Sequence, residues 1–516
     1  MFGTGGIIMK CKGILLLVLP VAVSTFWCAA LPATTTEGEP AVITKHQINA
    51  DGKPLEYTAE TGRIAIRDVE TGEPHGFMFY IAYRIPSSGM PRPVTFVWNG
   101  GPGANSSLLH FHVVGPKRVE GDKLVDNAET WLTVTDLVFV DPIGCGFSRP
   151  TKAEYASEFY GTVGDVASVT EFVRSWRLEH DADDLPVVLA GESWGARRAA
   201  SVGYALLKRG VRVSDLVLVS GGTGLNSEFC PSELRSALHV VDLTATALYH
   251  GKISAEWGKD LETIQKKAEE WARRTYAPAL AKPDGLSDAE RMAVVQKLSL
   301  FTGMPVDLIN RETLRFTPRQ YRTGLLKDEG KLLQVFDMRR TIRIGEQGAA
   351  EDSKARSAIL RYLRRDLGYR TSLPYVGLEG WEQGYAPSGK YPDSVKARWN
   401  WATAPVSPEE MEAAMKAAAQ SGSGPPRLGP PLPATEEALA LNPDMRVLVA
   451  SGIFDSYASC AAYEETGRQL PPALQQSISF KCYVGGHMMY LDPPTRLKFS
   501  NDVKAMIEEI RNGKIR

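Results

Sequence analysis

The stretch Val187-Val-Leu-Ala-Gly-Glu-Ser-Trp-Gly-Ala-Arg197 sets four apolar residues before a serine bracketed by glycines, then a run of helical character. An unbroken apolar run suits a strand buried on both faces. The pattern predicts a strand ending at Gly191, a helix beginning near Ala196, and Ser193 at the apex of the turn between them. A strand that turns straight into a helix strains its apex residue, and glycine two positions away on each side avoids the collisions. Ser193 is therefore expected to project its hydroxyl from the end of a sheet. The same five-residue pattern also occurs in tight turns that carry no chemistry, so its meaning depends on the rest of the chain.

Similar apolar runs occur at Val94 to Trp98, Leu137 to Val140, Leu216 to Val219, Val447 to Ala450 and Phe480 to Val484. Between them lie amphipathic segments such as Gly164 to Glu179, with Val166, Val169, Phe172, Val173 and Trp176 at helical spacing. Strand alternating with helix predicts an α/β fold around a mostly parallel sheet. Residues 42 to 85 instead alternate apolar and polar side chains, with turn signals at Asp51-Gly52 and Thr71-Gly72, which predicts antiparallel hairpins ahead of that sheet. No strand of the buried kind is evident between Val219 and Val447; charged helical patterns such as Ala255 to Arg274 and aromatic turns fill the gap. The expected organisation is a core over 34–222, a helical cap over 223–440 with a Gly/Pro-rich connector from Gln420 to Pro433, and a second part of the core over 441–516.

The 516 residues are 43% hydrophobic and 23% charged, enough to bury a large core. Lys and Arg number 59 against 60 Asp and Glu, and this balance excludes the basic footprint of a nucleic-acid or anionic-membrane binder. Residues 1–33 have the layout of a secretory leader: Met9-Lys-Cys-Lys12, an apolar run from Ile14, and small residues at Ala29, Ala30 and Ala33. The expected destination is the periplasm or the exterior, with an uncleaved anchor as the alternative. Beyond the leader remain Cys145, Cys230, Cys460 and Cys482, which allow three disulfide pairings or free thiols. No metal-site spacing accompanies them, so neither metal nor cofactor is expected.

A serine hydroxyl needs a base, and the base an orienting acid, at the ends of later strands. His46, His75 and His250 read as loop residues, and His110, His112, His180 and His239 lie in or beside helices. His487 differs, because it follows the run Phe480 to Val484 and Gly485-Gly486. Asp455 follows Val447 to Ala450 in the same way. The order Ser193, Asp455, His487 is that of α/β-hydrolases. Asn99-Gly-Gly-Pro-Gly103 follows another strand and can turn backbone N–H groups toward a developing oxyanion; it lacks the Lys-Ser/Thr ending of a phosphate loop.

Taken together, these segments resemble the serine carboxypeptidase family. Trp98-Asn-Gly-Gly-Pro-Gly-Ala-Asn-Ser-Ser107 is similar to its WLNGGPGCSS segment, Gly144-Cys-Gly-Phe-Ser148 to GVGFS, Gly191 to Ala196 to GESYAG, Gly486-His-Met488 to GHM, and Ser451 to Asp455 to its strand-end acid. The resemblance implies Ser193 as nucleophile, His487 as base, Asp455 as orienter, the amides of Gly101 and Trp194 as the oxyanion hole, and Asn99 with Glu192 as a clamp on the substrate's terminal carboxylate. It also implies peptide substrates, and some members of the family dimerise. The departures are specific: the family's second recognition glutamate is absent from His112-Val-Val114, its tryptophan falls one residue late, and Ala104-Asn105 replaces a cysteine. A weakened clamp is expected, with a less acidic optimum or a leaving group other than a free C-terminus. An esterase or acyltransferase on the same machinery is the alternative, and a non-catalytic binding protein a third reading. Trp381, Tyr385, Trp399 and Trp401 are candidate pocket walls, although such aromatics are more often core residues.

Overall fold

The computed structural model describes residues 40–50, 52–86, 92–253, 260–346, 353–377, 395–404, 406–421, 428–429 and 433–511. The chain divides into two units, residues 1–37 and 38–516, and all described residues lie in the second. The expected leader, with Trp381, Tyr385 and most of the Gly/Pro-rich connector, lies outside them.

Ten strands form one sheet: β1 (Val42–Ala50), β2 (Lys53–Arg67), β3 (Pro74–Arg84), β4 (Val94–Trp98), β5 (Asp136–Asp141), β6 (Arg149–Pro150), β7 (Val187–Glu192), β8 (Val213–Val219), β9 (Arg446–Gly452) and β10 (Ile478–Tyr483). Their order is β1-β2-β3-β5-β4-β7-β8-β9-β10, with β6 paired to β3. The first three strands and the β3–β5 pair are antiparallel, as the alternating residues 42 to 85 require. From β5 to β10 every pairing is parallel. Each residue of β4, β5, β7 and β8 is buried, so the unbroken apolar runs mark the strands covered on both faces.

Alternate residues of these strands feed two cores. Phe96, Trp98, Leu189, Leu218 and Val449 face helices α1 (Thr162–Glu179) and α2 (Trp194–Leu207), where Phe172, Val173, Trp176, Ala199 and Val202 meet them. Val97, Phe139, Ala190, Val219 and Ala450 face Phe499, Val503 and Ile507 of the C-terminal helix Pro493–Arg511. A third core lies in the insertion, where helices Ser232–Tyr249, Leu261–Trp271 and Asp288–Thr302 bury Leu238, Ala268, Val295 and Leu298 together. The insertion is not wholly helical: Lys331–Leu333 pairs with Thr341–Arg343, strands too short to leave a period in the sequence. Helix Ala434–Leu441 packs Ala438 and Leu439 into the same core as α2. His46 and His75, read as loop residues, lie in β1 and β3.

The structure bridges two of the four cysteines and leaves two free: Cys460 at the start of helix Cys460–Gln469 is joined to Cys482 in β10, 22 residues on, while Cys145 and Cys230 are buried free thiols. The bridge ties the helix that follows β9 to the strand that pairs with it. Replacing both cysteines by serine is expected to lower the unfolding free energy by about 3 kcal/mol, typical for a loop of this length, read as a drop in the denaturant midpoint.

Candidate active site

The chain reverses at Ser193 alone. β7 runs to Glu192 and α2 begins at Trp194, a sharper turn than the sequence pattern predicts, and Ser193 takes φ +60°, ψ −123° to make it. A non-glycine residue with positive φ is strained and must be held by its surroundings. Here the Ser193 N–H donates to Val219 O (2.8 Å) and the Ala196 N–H to Ser193 O (3.1 Å). Gly191 is required by contact, because a Cβ there would lie 1.9 Å from Gly195 O. Gly100 is required from the other side: its Cβ would lie 2.5 Å from Trp194 N. The loop after β4 is thus pressed, at Gly100, onto the turn and against the first amides of α2, which have no intrahelical acceptor.

Asp455 lies three residues beyond the end of β9 and His487 four beyond β10. The two strand-end loops are bonded to each other, Ile453 N–H to Tyr483 O (3.0 Å) and Phe454 N–H to Gly485 O (2.9 Å). Across them His487 Nδ1 donates to Asp455 Oδ2 at 2.7 Å, with both side chains buried. Asp455 Oδ1 accepts the Tyr457 N–H (2.8 Å), and the His487 N–H is held by Phe336 O (2.5 Å) from the insertion. The rings of Phe336 and Tyr457 flank the imidazole at 5.4 and 5.9 Å. Burial alone would lower the His487 pKa, but the Asp455 charge, its hydrogen bond and the charge of Glu192 together hold it above the ordinary imidazole value. An imidazole fixed at Nδ1 by a carboxylate is left to exchange protons at Nε2.

Glu192 is buried beside the serine. Its Oε1 accepts from Asn99 Nδ2 (3.1 Å) and its Oε2 from the Tyr490 hydroxyl. Burial raises its pKa; the His487 charge and the bonds from Tyr490 and Asn99 pull it down, and the Asp455 charge pushes it up, with a net upward shift. Asn99 is fixed twice more, its Oδ1 accepting the Leu109 N–H (3.0 Å) and its carbonyl accepting Arg198 Nη1 (2.8 Å). Arg198 also donates Nε to Asp165 Oδ2 (2.7 Å), an ion pair buried between α1 and α2. The Trp194 ring packs edge-on against Trp399 and Trp401 (5.6 and 5.2 Å), both buried.

The sequence pattern of the serine carboxypeptidase family matches residues 53–272. Over those residues the chain is similar to the serine carboxypeptidase family. Among curated relatives, serine carboxypeptidase-like 50 of Arabidopsis thaliana is 27% identical over 276 residues, covering 47% of this chain and 59% of that protein. The pheromone-processing carboxypeptidase KEX1 of Yarrowia lipolytica is 35% identical over 147 residues, 27% of this chain and 23% of the relative. The chain thus spans less than two thirds of the length of these relatives. A prohormone-processing carboxypeptidase from Saccharomyces cerevisiae, Kex1(delta)p, is similar in structure with a TM-score of 0.53 at 14% identity, over 89% of this chain and 91% of that one, which establishes a shared α/β-hydrolase fold.

The serine carboxypeptidase match includes Asn99, Gly101, Glu192, Ser193 and Trp194 and stops short of Asp455 and His487. The structure brings Asp455 to His487, and His487 within the field of Glu192, the residue before Ser193. Sequence reasoning missed Tyr490, Phe336, Tyr457 and Arg198. Of these only Tyr490 left a trace, three residues after His487. Just before the segment that lacks the family's glutamate, His110 is stacked between Phe111 and Phe139 (3.8 Å each) and bonded to the Tyr83 hydroxyl (2.9 Å). Next to it, burial and the charges of Arg496 and Arg118 push His112 down to about 4. Among the described residues, no group of three or more His, Cys, Asp or Glu is arranged to hold a metal ion. Arg198→Ala would strand Asp165 as a buried charge and should cost about 3–5 kcal/mol of stability, checked by equilibrium unfolding.

Proposed function

We propose that the chain is an exported serine carboxypeptidase that removes C-terminal residues from peptides through a Ser193–His487–Asp455 triad and an acyl-enzyme. The observation that carries this reading is the buried 2.7 Å bond from His487 to Asp455, made beyond the strand ends of the sheet on which Ser193 is held in its strained turn. Ser193 Oγ attacks the scissile carbonyl as His487 Nε2 takes its proton. Asp455 holds the imidazole in the Nδ1–H tautomer and stabilises the imidazolium. The N–H groups of Trp194 and Gly101 receive the oxyanion. His487 then gives its proton to the leaving amine, and a water, deprotonated in the same way, hydrolyses the ester at Ser193. The family match around the serine supports the peptidase class.

Export is supported by the leader-like residues 1–33 and by the Cys460–Cys482 bridge, which suits an oxidising compartment. Among the described residues no helix is long and apolar enough to cross a membrane. An esterase or acyltransferase on the same machinery draws support from the closed hydrogen bonding around Glu192, which leaves the reading of the substrate's far end open to other groups.

Ser193→Ala should fold and lose on the order of 10⁴-fold or more in turnover of a blocked dipeptide. Retained turnover, or labelling by a fluorophosphonate elsewhere than Ser193, would refute the mechanism. The base must be neutral to act, and its pKa is raised. The acid limb of kcat/KM on a neutral ester should therefore lie above the ordinary imidazole value of about 6.5, with activity rising as pH increases through it; Glu192→Gln should move that limb down.

A further inference from the structure

We propose that a cavity between the strand Lys117–Glu120 and the start of the C-terminal helix is a second binding site, built for a small organic carboxylate. None of the residues of the proposed triad, oxyanion hole or clamp lines it. Leu491, on its wall, lies four residues after His487, so an occupant rests against the loop that carries the proposed base.

The cavity has a volume of about 440 Å³, within the roughly 300–1,000 Å³ of small-ligand pockets. Arg118, Arg496 and His112 form its polar wall, and Val119, Leu491 and Pro493 its apolar one. The Nε of Arg118 is buried with no hydrogen-bonding partner, and its Nη2 lies 3.5 Å from Glu120. A buried guanidinium nitrogen without an acceptor is costly, and an oxyanion supplies the acceptor. Arg496, its side chain 9% exposed, is fixed through Nε by Glu129 Oε2 at 2.6 Å. That bond leaves both Nη groups as donors. Burial, with the charges of Arg496 and Arg118, holds His112 neutral at pH 7, so it brings one N–H and no charge.

The backbone contributes little. Pro493 and Pro494 carry no N–H, and the Arg496 N–H is taken by Asp492 O (2.8 Å). The helix start favours a negative charge through its dipole, and recognition falls to the side chains. The charges around the cavity limit what it takes. Glu129 balances Arg496, while Glu120, its side chain 66% exposed, is screened by water and only partly offsets Arg118. The surplus approaches a single positive charge, which suits a carboxylate better than a doubly charged phosphate. Guanidinium forks match the plane of a carboxylate, and the apolar wall receives a short chain attached to it.

Binding of butanoate, butanamide and inorganic phosphate to the full-length protein tests this, read by calorimetry and by the imidazole resonances of histidine-labelled protein, with His112 assigned through His112→Gln. Butanoate is expected to bind on the order of tenfold more tightly than butanamide, and more tightly than phosphate. A bound carboxylate offsets the two guanidinium charges, so the His112 pKa should rise from about 4 by about one pH unit. Arg118→Gln should weaken butanoate on the order of tenfold. Arg118→Lys should restore part of that loss, and Glu120→Gln should tighten butanoate without moving butanamide. Butanoate that binds wild type and Arg118→Gln equally, or that leaves His112 unmoved, occupies another site and overturns the proposal. Phosphate that binds more tightly than butanoate overturns the assignment of a carboxylate. If Arg118→Gln does not fold, the His112 shift in the wild type and the response of Glu120→Gln decide the matter.

Discussion

The site depends on one backbone reversal. Ser193 leaves a fully buried strand and enters a helix with no intervening residue, and its positive φ is tolerated because neighbours hold it from every side. Val219 O anchors its N–H, Gly195 closes against Gly191, and Gly100 brings the loop after β4 into contact with the Trp194 amide. The strain is local, but the features that bear it reach across the sheet. The Arg198–Asp165 pair holds the Asn99 carbonyl, and Asn99 holds Glu192. A nucleophile placed on such a turn is positioned by packing and needs little further ordering when substrate arrives.

Asp455 and His487, the proposed acid and base, are positioned by a different device. Asp455 and His487 sit on loops, which are ordinarily the mobile part of a fold. Here the two loops are zipped by main-chain bonds, backed by the insertion through Phe336 O, and stapled by the Cys460–Cys482 bridge just behind them. The pair is therefore held together as one unit.

Much of this was legible in the sequence because it was written in local patterns. Unbroken apolar runs marked the strands buried on both faces, alternation marked the antiparallel hairpins, and residues just beyond two later runs marked Asp455 and His487. The turn at Ser193 was found but placed too broadly, since Glu192 has no apolar character to extend the strand and Trp194 no feature that marks a helix start. The rest depended on contacts between distant segments. Nothing local ties Tyr490 to Glu192 or Phe336 to His487, and which cysteines are bridged and which stay free depends on β9 and β10 being neighbours. The short hairpin in the insertion failed for a simpler reason, that three residues a side carry no period.

The neighbours β8 and β9 are separated in the chain by the whole insertion, between Val219 and Arg446. Synthesis therefore delivers the serine, its turn and the glycine loop long before Asp455 and His487. In the proposed triad, the Ser193 hydroxyl lacks its base until the last two strands add to the edge of the sheet, and the nascent chain would stay inert toward its own peptide bonds and those of its neighbours. On the proposed mechanism, the topology sets the completion of the site at the arrival of β9 and β10.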